Sequence, residues 1–400
     1  MVFGFIYTDL SFFLPRVQGL SNFWMGITIW VMAMSLVLAS FPLGIIADKY
    51  GRRKMLVIGN IAASISIVGF ALTSNLALIL LVAIVEGAGE AAFAVSGSAL
   101  LADKAGDEKR TLAFSLIAFL GWVAGAIGGF ALSSVFLFQN LGLNVAEAHV
   151  ALYLIVGLIG LSVTPLILKI SETPRVSDQL HSVRKSILPR KSGRVLSKFV
   201  IYSAMIAVGA GLFVPLMANW FFHAYGVTDA VSGPVLGVSG ILTAVAVFLS
   251  PRLAKKLGII RAIVLSQGIS TIFMAMVPIS PTFEIAASIY TVRVFLMNLS
   301  NPLSQSLIMG LVSPDERGMA SGITASLWRL PNALSSIVGA IWIGAGLLAL
   351  PFYVATVLYV SAIVSFWFLF KNSKLPEETH VVREATKELS PIQEEPLASL

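Results

Sequence analysis

Apolar runs near or above the length that crosses a bilayer, about 20 residues, recur along the whole chain. They cover 22–47, 54–74, 76–102, 111–136, 149–170, 199–222, 231–254, 261–279, 282–312, 319–345 and 350–371, and a shorter run occupies 1–14. The pattern predicts twelve membrane helices, the first of them incomplete. Polar residues are confined to short breaks, except over Ser171–Lys198, which carries Pro174 and Pro189. The chain thus divides into a helical bundle over 1–170, a polar linker over 171–198, a second bundle over 199–371 and a tail over 372–400. The tail is charged, contains Pro376, Pro391 and Pro396, and is expected to be disordered.

Composition agrees with an all-α integral membrane protein. Only 12% of residues are charged and 57% are hydrophobic, against about 25% charged in soluble domains. There is no Cys, which excludes disulfides and thiolate sites. The net charge of +7 would suit nucleic acid if it formed one patch. Instead the cations mark alternate loops: Lys49, Arg52, Arg53 and Lys54; Lys104, Lys109 and Arg110; the basic linker; Lys255, Lys256 and Arg261; Arg317; Lys371 and Lys374. The opposite side offers only Arg16. The asymmetry predicts that both termini face the cytoplasm of a cell membrane, and it argues against nucleic-acid binding.

The two halves repeat at a constant offset. Gly51 and Gly258 stand 207 residues apart, and the same offset pairs Gly4 with Gly211, Gly19 with Gly226, Gly26 with Gly233, Ala47 with Ala254 and Arg110 with Arg317. By this register Met1 pairs with Val208, so the start of the first helix has no counterpart. Fourteen residues of helix rise only about 21 Å, short of a hydrocarbon core of about 30 Å, and a start further upstream is expected.

Charges inside the apolar runs are few, and each requires a partner or a water-filled cavity. They are Asp9, Glu86, Glu90, Arg293 and Arg329. Glu86 and Glu90 share one helical face. Two carboxylates so placed repel, and poor solvation disfavours their charge further, which suits proton uptake and release. Asp9, Glu86 and Glu90 are the candidate proton-coupling residues. Arg293 and Arg329 could hold an anion or pair with acids across the halves, and Asn298, Asn301 and Gln305 form a polar stripe beside them. No GxxxxGK[ST] string and no His or Cys cluster of metal-ligand spacing occurs. Neither a cofactor nor a metal is expected.

Between the second and third runs stands Gly44-Ile45-Ile46-Ala47-Asp48-Lys49-Tyr50-Gly51-Arg52-Arg53. The ordered G-xxx-D-K-x-G-R-R string resembles the loop signature of the major facilitator superfamily of secondary transporters. The resemblance implies two six-helix bundles related by a pseudo-twofold axis, with a solute pathway between them lined by helices 1, 4, 7 and 10. It also implies that Gly44, Asp48, Lys49, Gly51, Arg52 and Arg53 latch the cytoplasmic ends in one state. Since Glu86 and Arg293 are mates at the repeat offset, they are expected to oppose each other across the pathway. Gly121–Gly129 is similar to the helix-5 motif of antiporters, with Ala126 where that motif has Pro, and Ala83 stands where the family's helix-4 motif has Arg.

These features predict a secondary transporter that acts as a monomer on a small molecule, with protons as the coupling ion. Drug:proton antiport of amphiphilic compounds is the first expectation. A proton-coupled importer of a small organic anion is the alternative, and a membrane receptor without transport is a third.

Overall fold

A computed structural model describes residues 2–172, 192–313 and 316–371. The described chain is helical throughout: α1 Val2–Arg16, α2 Asn22–Tyr50, α3 Arg52–Leu72, α4 Leu76–Ala131, α5 Ser134–Asn140, α6 Val145–Ser162, α7 Thr164–Leu168, α8 Gly193–Gly211, α9 Met217–Tyr225, α10 Asp229–Leu257, α11 Ile259–Met276, α12 Phe283–Leu311, α13 Arg317–Gly344 and α14 Leu350–Phe370. Nine described segments are long and apolar enough to cross a membrane. Most of the expected linker, 173–191, and the tail from 372 lie outside the described residues. Residues 193–198, expected in the linker, belong to α8.

These elements make twelve crossings because α4 counts twice. Helical backbone runs unbroken from Leu76 to Ala131, through the polar break expected after residue 102. It cannot be straight. Gly4 of α1 packs on Gly125, while Tyr7, one turn along α1, bonds Glu90. In a straight helix Glu90 and Gly125 would lie about 50 Å apart at 1.5 Å per residue. The backbone therefore reverses between two arms, and the second arm continues into α5. Likewise α6 with α7, and α8 with α9, each make one crossing.

The repeat is visible in the backbone. Both α2 and α10 are 29 residues long. Their starts, and those of α3 and α11 and of α4 and α12, are all separated by the same 207 residues. The hinges match as well. Gly51 and Gly258 have φ of 112° and 79°, and each donates its N–H to an alanine carbonyl four residues back, Ala47 or Ala254. A side chain is strained in this backbone region, so glycine suits both turns.

Local sequence sets the helix starts. Ser21 Oγ accepts from the Trp24 amide, and Asn75 Oδ1 accepts from Ala77 and Leu78. Asn144 and Glu147 cap each other's amides reciprocally. Glycines set the packing. A Cβ on Gly129 would lie 2.7 Å from the Gly233 carbonyl oxygen, and one on Gly26 would lie 2.9 Å from Ile337 Cα. Both contacts join the halves, the first through α4 and α10, the second through α2 and α13.

Candidate functional site

The polar groups of the seam come from three helices: Tyr7 of α1, Glu86 and Glu90 of α4, and Arg329 of α13. Gly87 lies against Met32 of α2 with no room for a Cβ, and Gly89 lies against Ala62, Ala63 and Gly59 of α3. These two contacts fix the rotation of the first arm of α4 and so the direction of Glu86 and Glu90. Glu90 Oε2 accepts from the Tyr7 hydroxyl of α1 at 2.8 Å. Glu90 Oε1 stands 3.5 Å from Nη1 and Nη2 of Arg329 on α13, a long ion pair across the halves. The Glu90 side chain is 12% exposed and that of Arg329 40%. The pair is therefore not sealed inside the protein. One turn away, Glu86 is buried and its Oε2 makes no hydrogen bond.

The expected opposition of Glu86 and Arg293 is not found. Arg293 is buried inside the second half. Its Nη2 donates to the Tyr359 hydroxyl at 3.0 Å, and the guanidinium lies 4.9 Å from the Phe213 ring and 5.6 Å from the Tyr359 ring. The repeat fixes the position of the backbone along the helix. It brings two mates together only when both side chains turn toward the axis between the halves, and Arg293 turns into its own bundle. The acid–base contact across the seam is Glu90 with Arg329 instead.

On α12, Asn298 Nδ2 donates to the Val294 carbonyl, and Asn301 Nδ2 donates to Asn298 Oδ1 at 2.8 Å. Gln305 is exposed one turn on. The three form a polar face pointing away from the buried Arg293.

Asp9 is not on the seam with Glu90. It is fully buried, and its Oδ2 accepts from the Tyr153 hydroxyl of α6 at 2.8 Å. Beside it His149 of α6 holds Asp229 of α10, Nε2 to Oδ2, at 2.7 Å. One donor atom from each of Asp9, His149 and Asp229 lies within 4.8 Å of the other two. Sequence reasoning missed His149 and Asp229. Each sits at the margin of an apolar run, where a polar residue reads as a loop boundary. No spacing links them, since Asp9, His149 and Asp229 are far apart in the chain.

At the cation-rich turn, Arg52 bonds Asp48 Oδ1 at 2.8 Å through Nε and Asp103 Oδ2 at 2.6 Å through Nη1. Glu172 accepts the amides of Arg52 and Arg53, which caps α3 at its positive end. Arg53 Nη1 reaches the carbonyls of Leu168 and Ile170. Lys49 lies over the Tyr50 ring, and Gly44 packs on Val95. All these partners belong to the first half. Apart from the long Glu90–Arg329 pair, the bonds between the halves described here lie at the opposite end: Arg16 with His223, Asn219 with Asn22, Ser133 with Ala230, and His149 with Asp229. Among the described residues the halves are pinned together at the Arg16 end.

The comparisons with known proteins agree with this architecture. The MFS-type transporter YqjV of Bacillus subtilis is 32% identical over 120 residues, 29% of each chain. The multi-drug resistance efflux pump PmrA of Streptococcus pneumoniae is 24% identical over 313 residues, 77% of this chain and 71% of PmrA. Among solved structures, the nucleoside transporter NupG superposes with a TM-score of 0.74 at 14% identity, over 93% of this chain and 96% of NupG. A D-xylose-proton symporter gives 0.72 at 16% identity, over 92% and 94%. The model of the Major Facilitator Superfamily matches residues 1–336. The chain is a multi-pass membrane protein and a secondary transporter of that superfamily.

Proposed function

We propose that the protein exports amphiphilic small molecules in exchange for protons. The observation that carries this reading is the Tyr7–Glu90–Arg329 contact between the halves, with the buried Glu86 one turn away. A proton on Glu90 removes the negative charge that holds Arg329, so loading the acid weakens this tie across the seam. Glu86 shares the face and lies buried one turn from this contact. Substrate enters between the halves 1–170 and 199–371 and lies against Arg329 and the polar face of Asn298, Asn301 and Gln305. PmrA, described as a multi-drug efflux pump, is the relative whose activity fits this reading.

The cation-rich loops face the cytoplasm of a cell membrane, and the Arg16 end faces outside. The halves rock as a monomer about the mid-membrane site. In the state described, Arg52 of the cation-rich turn bonds Asp48 and Asp103, and Arg53 bonds the carbonyls of Leu168 and Ile170, all in the first half. In the opposite state this turn moves against the second half and latches the cytoplasmic end. The anion-importer reading is weaker, because Arg293 is committed to Tyr359 and Phe213 and leaves Arg329 alone for an anion.

Uptake into inverted vesicles tests the proposal. A fluorescent amphiphilic cation should accumulate on acidifying the lumen and leave when the gradient collapses. Proton-driven movement of small carboxylates, with no movement of the dye, would favour import of anions and overturn the efflux reading.

A further inference from the structure

The buried group of Asp9, His149, Tyr153 and Asp229 takes no part in the cleft chemistry above. It joins α1 and α6 of the first half to α10 of the second, and every member is sealed from solvent. Its hydrogen bonds fix where protons reside. His149 Nδ1 lies 2.7 Å from the Val145 carbonyl, which only accepts, so Nδ1 carries a hydrogen. Nε2 lies 2.7 Å from Asp229 Oδ2, and one proton must lie between them. Tyr153 supplies a hydroxyl proton to Asp9 Oδ2. That leaves Asp9 Oδ1 and Asp229 Oδ1 buried with no donor.

With both acids ionised and the imidazole charged, the group has a net charge of −1 and two orphaned acceptors. A buried unpaired charge is costly. One further proton, on either carboxyl, makes the group neutral and supplies a donor. Among the described residues no other charge does this. On α1, Arg16 is spent on His223 and on the Phe222 ring, 4.0 Å away. On α6, Glu147 is held in its own cap. On α12, which packs against α10, Glu284 is in the exposed first turn and Arg293 is bound to Tyr359. Glu86 and Glu90 belong to the first arm of α4, and Glu90 is committed to Tyr7 and Arg329. On α9, His223 takes the Arg16 hydrogen bond. Of the other packed helices, α5 carries no charge, Arg261 of α11 stands in its first turn beside the Gly258 hinge, and α2 and α3 carry their charges at the cation-rich turn.

We propose that Asp9, His149 and Asp229 form a second proton-binding site, which locks the Arg16 end of the pathway shut when loaded. The geometry favours a proton over a metal ion. Two ligands on a tetrahedral Zn²⁺ at about 2.0 Å stand about 3.3 Å apart, whereas the 2.7 Å between His149 Nε2 and Asp229 Oδ2 is a hydrogen bond. Separation of the halves splits Asp229 from His149 and Asp9, admits water and lets the extra proton leave. The lock holds whatever the substrate and whichever way it travels.

The chain has no cysteine, so spin labels can be placed at will. Leu141→Cys and Ile279→Cys label exposed sites beyond α5 and α11, one in each half. His223→Gln is included in every sample to remove the titration of its contact with Arg16. Inter-label distances in nanodiscs between pH 5 and 9 then report opening. The closed-to-open ratio should fall about tenfold or more as pH rises, because the extra proton is held in the closed state and released in the open one. Asp229→Asn, whose amide replaces the neutral acid, should stay closed at every pH. Asp9→Asn should do the same, and it carries the test if the first variant does not fold by thermal scan. A pH-independent ratio in the parent, or an Asp229→Asn protein that opens as the parent does, overturns the proposal. So does an end that stays open at pH 5 until zinc is added.

Discussion

Arg16 and His223 are mates at the repeat offset of 207 residues, and they bond each other, Nη2 to Nε2, at 2.9 Å. The guanidinium has only donors, so His223 Nε2 accepts. His223 Nδ1 lies 2.9 Å from the Asn219 carbonyl, so the hydrogen sits there and the ring is neutral. Protonation of His223 would replace the accepting lone pair with a second N–H facing a cation. Acid therefore weakens this contact, the opposite sense to the buried Asp9 group. His223→Phe should lower the closed-to-open ratio about two- to fivefold, the modest effect of a partly solvated contact. Label distances across the Arg16 end check this, and an unchanged ratio would make the contact incidental.

Gly129 sits where α4 and α10 touch backbone to backbone. A Cβ there would lie 2.7 Å from the Gly233 oxygen and 3.0 Å from the Gly237 nitrogen. Gly129→Val should force the halves apart at this seam at a cost of about 1–3 kcal/mol. The expected readings are a longer inter-label distance at the Arg16 end and a lower Tm in detergent. A normal distance with a normal Tm would show that the seam is looser than described.

The two hinge glycines differ in what surrounds them. At Gly51 a Cβ would meet Glu172 Oε2 at 3.3 Å, whereas at Gly258 nothing lies within 4 Å. Both carry positive φ, so Gly51→Ala and Gly258→Ala should each cost about 1–3 kcal/mol in backbone strain. Gly51→Ala should cost more, because it also presses on the carboxylate that caps α3. Thermal unfolding of the two variants side by side decides the order. Equal losses would remove Glu172 from the explanation.

The fold was largely legible because the bilayer imposes long apolar runs and the repeat imposes one offset. Gly51 and Gly258 marked the matching hinges, and the helix starts keep that offset through α4 and α12. A polar break after residue 102 predicts a loop between two membrane helices, yet helical backbone runs unbroken from Leu76 to Ala131, which a run of polar residues does not reveal. The candidate site was less legible. Glu90 and Arg329 stood out as intramembrane charges, yet their pairing depends on side-chain direction, which no offset encodes. Arg293 was assigned to the pathway because its mate is acidic. Its actual partners, Tyr359 and Phe213, are an ordinary Tyr and Phe in apolar runs and give no signal. His149 and Asp229 were missed because each reads as the polar end of a helix until tertiary packing brings them together.

The central claim is that the Glu90 carboxyl carries the proton that the substrate exchanges for. Proton movement driven by an amphiphilic cation gradient in proteoliposomes tests it most directly, with a pH dye in the lumen and no imposed pH gradient. The unmodified protein should move protons opposite to the cation. Glu90→Gln should bind the cation yet move protons at least about a hundredfold more slowly, since an amide holds no transferable proton. Proton movement undiminished in Glu90→Gln would contradict the account.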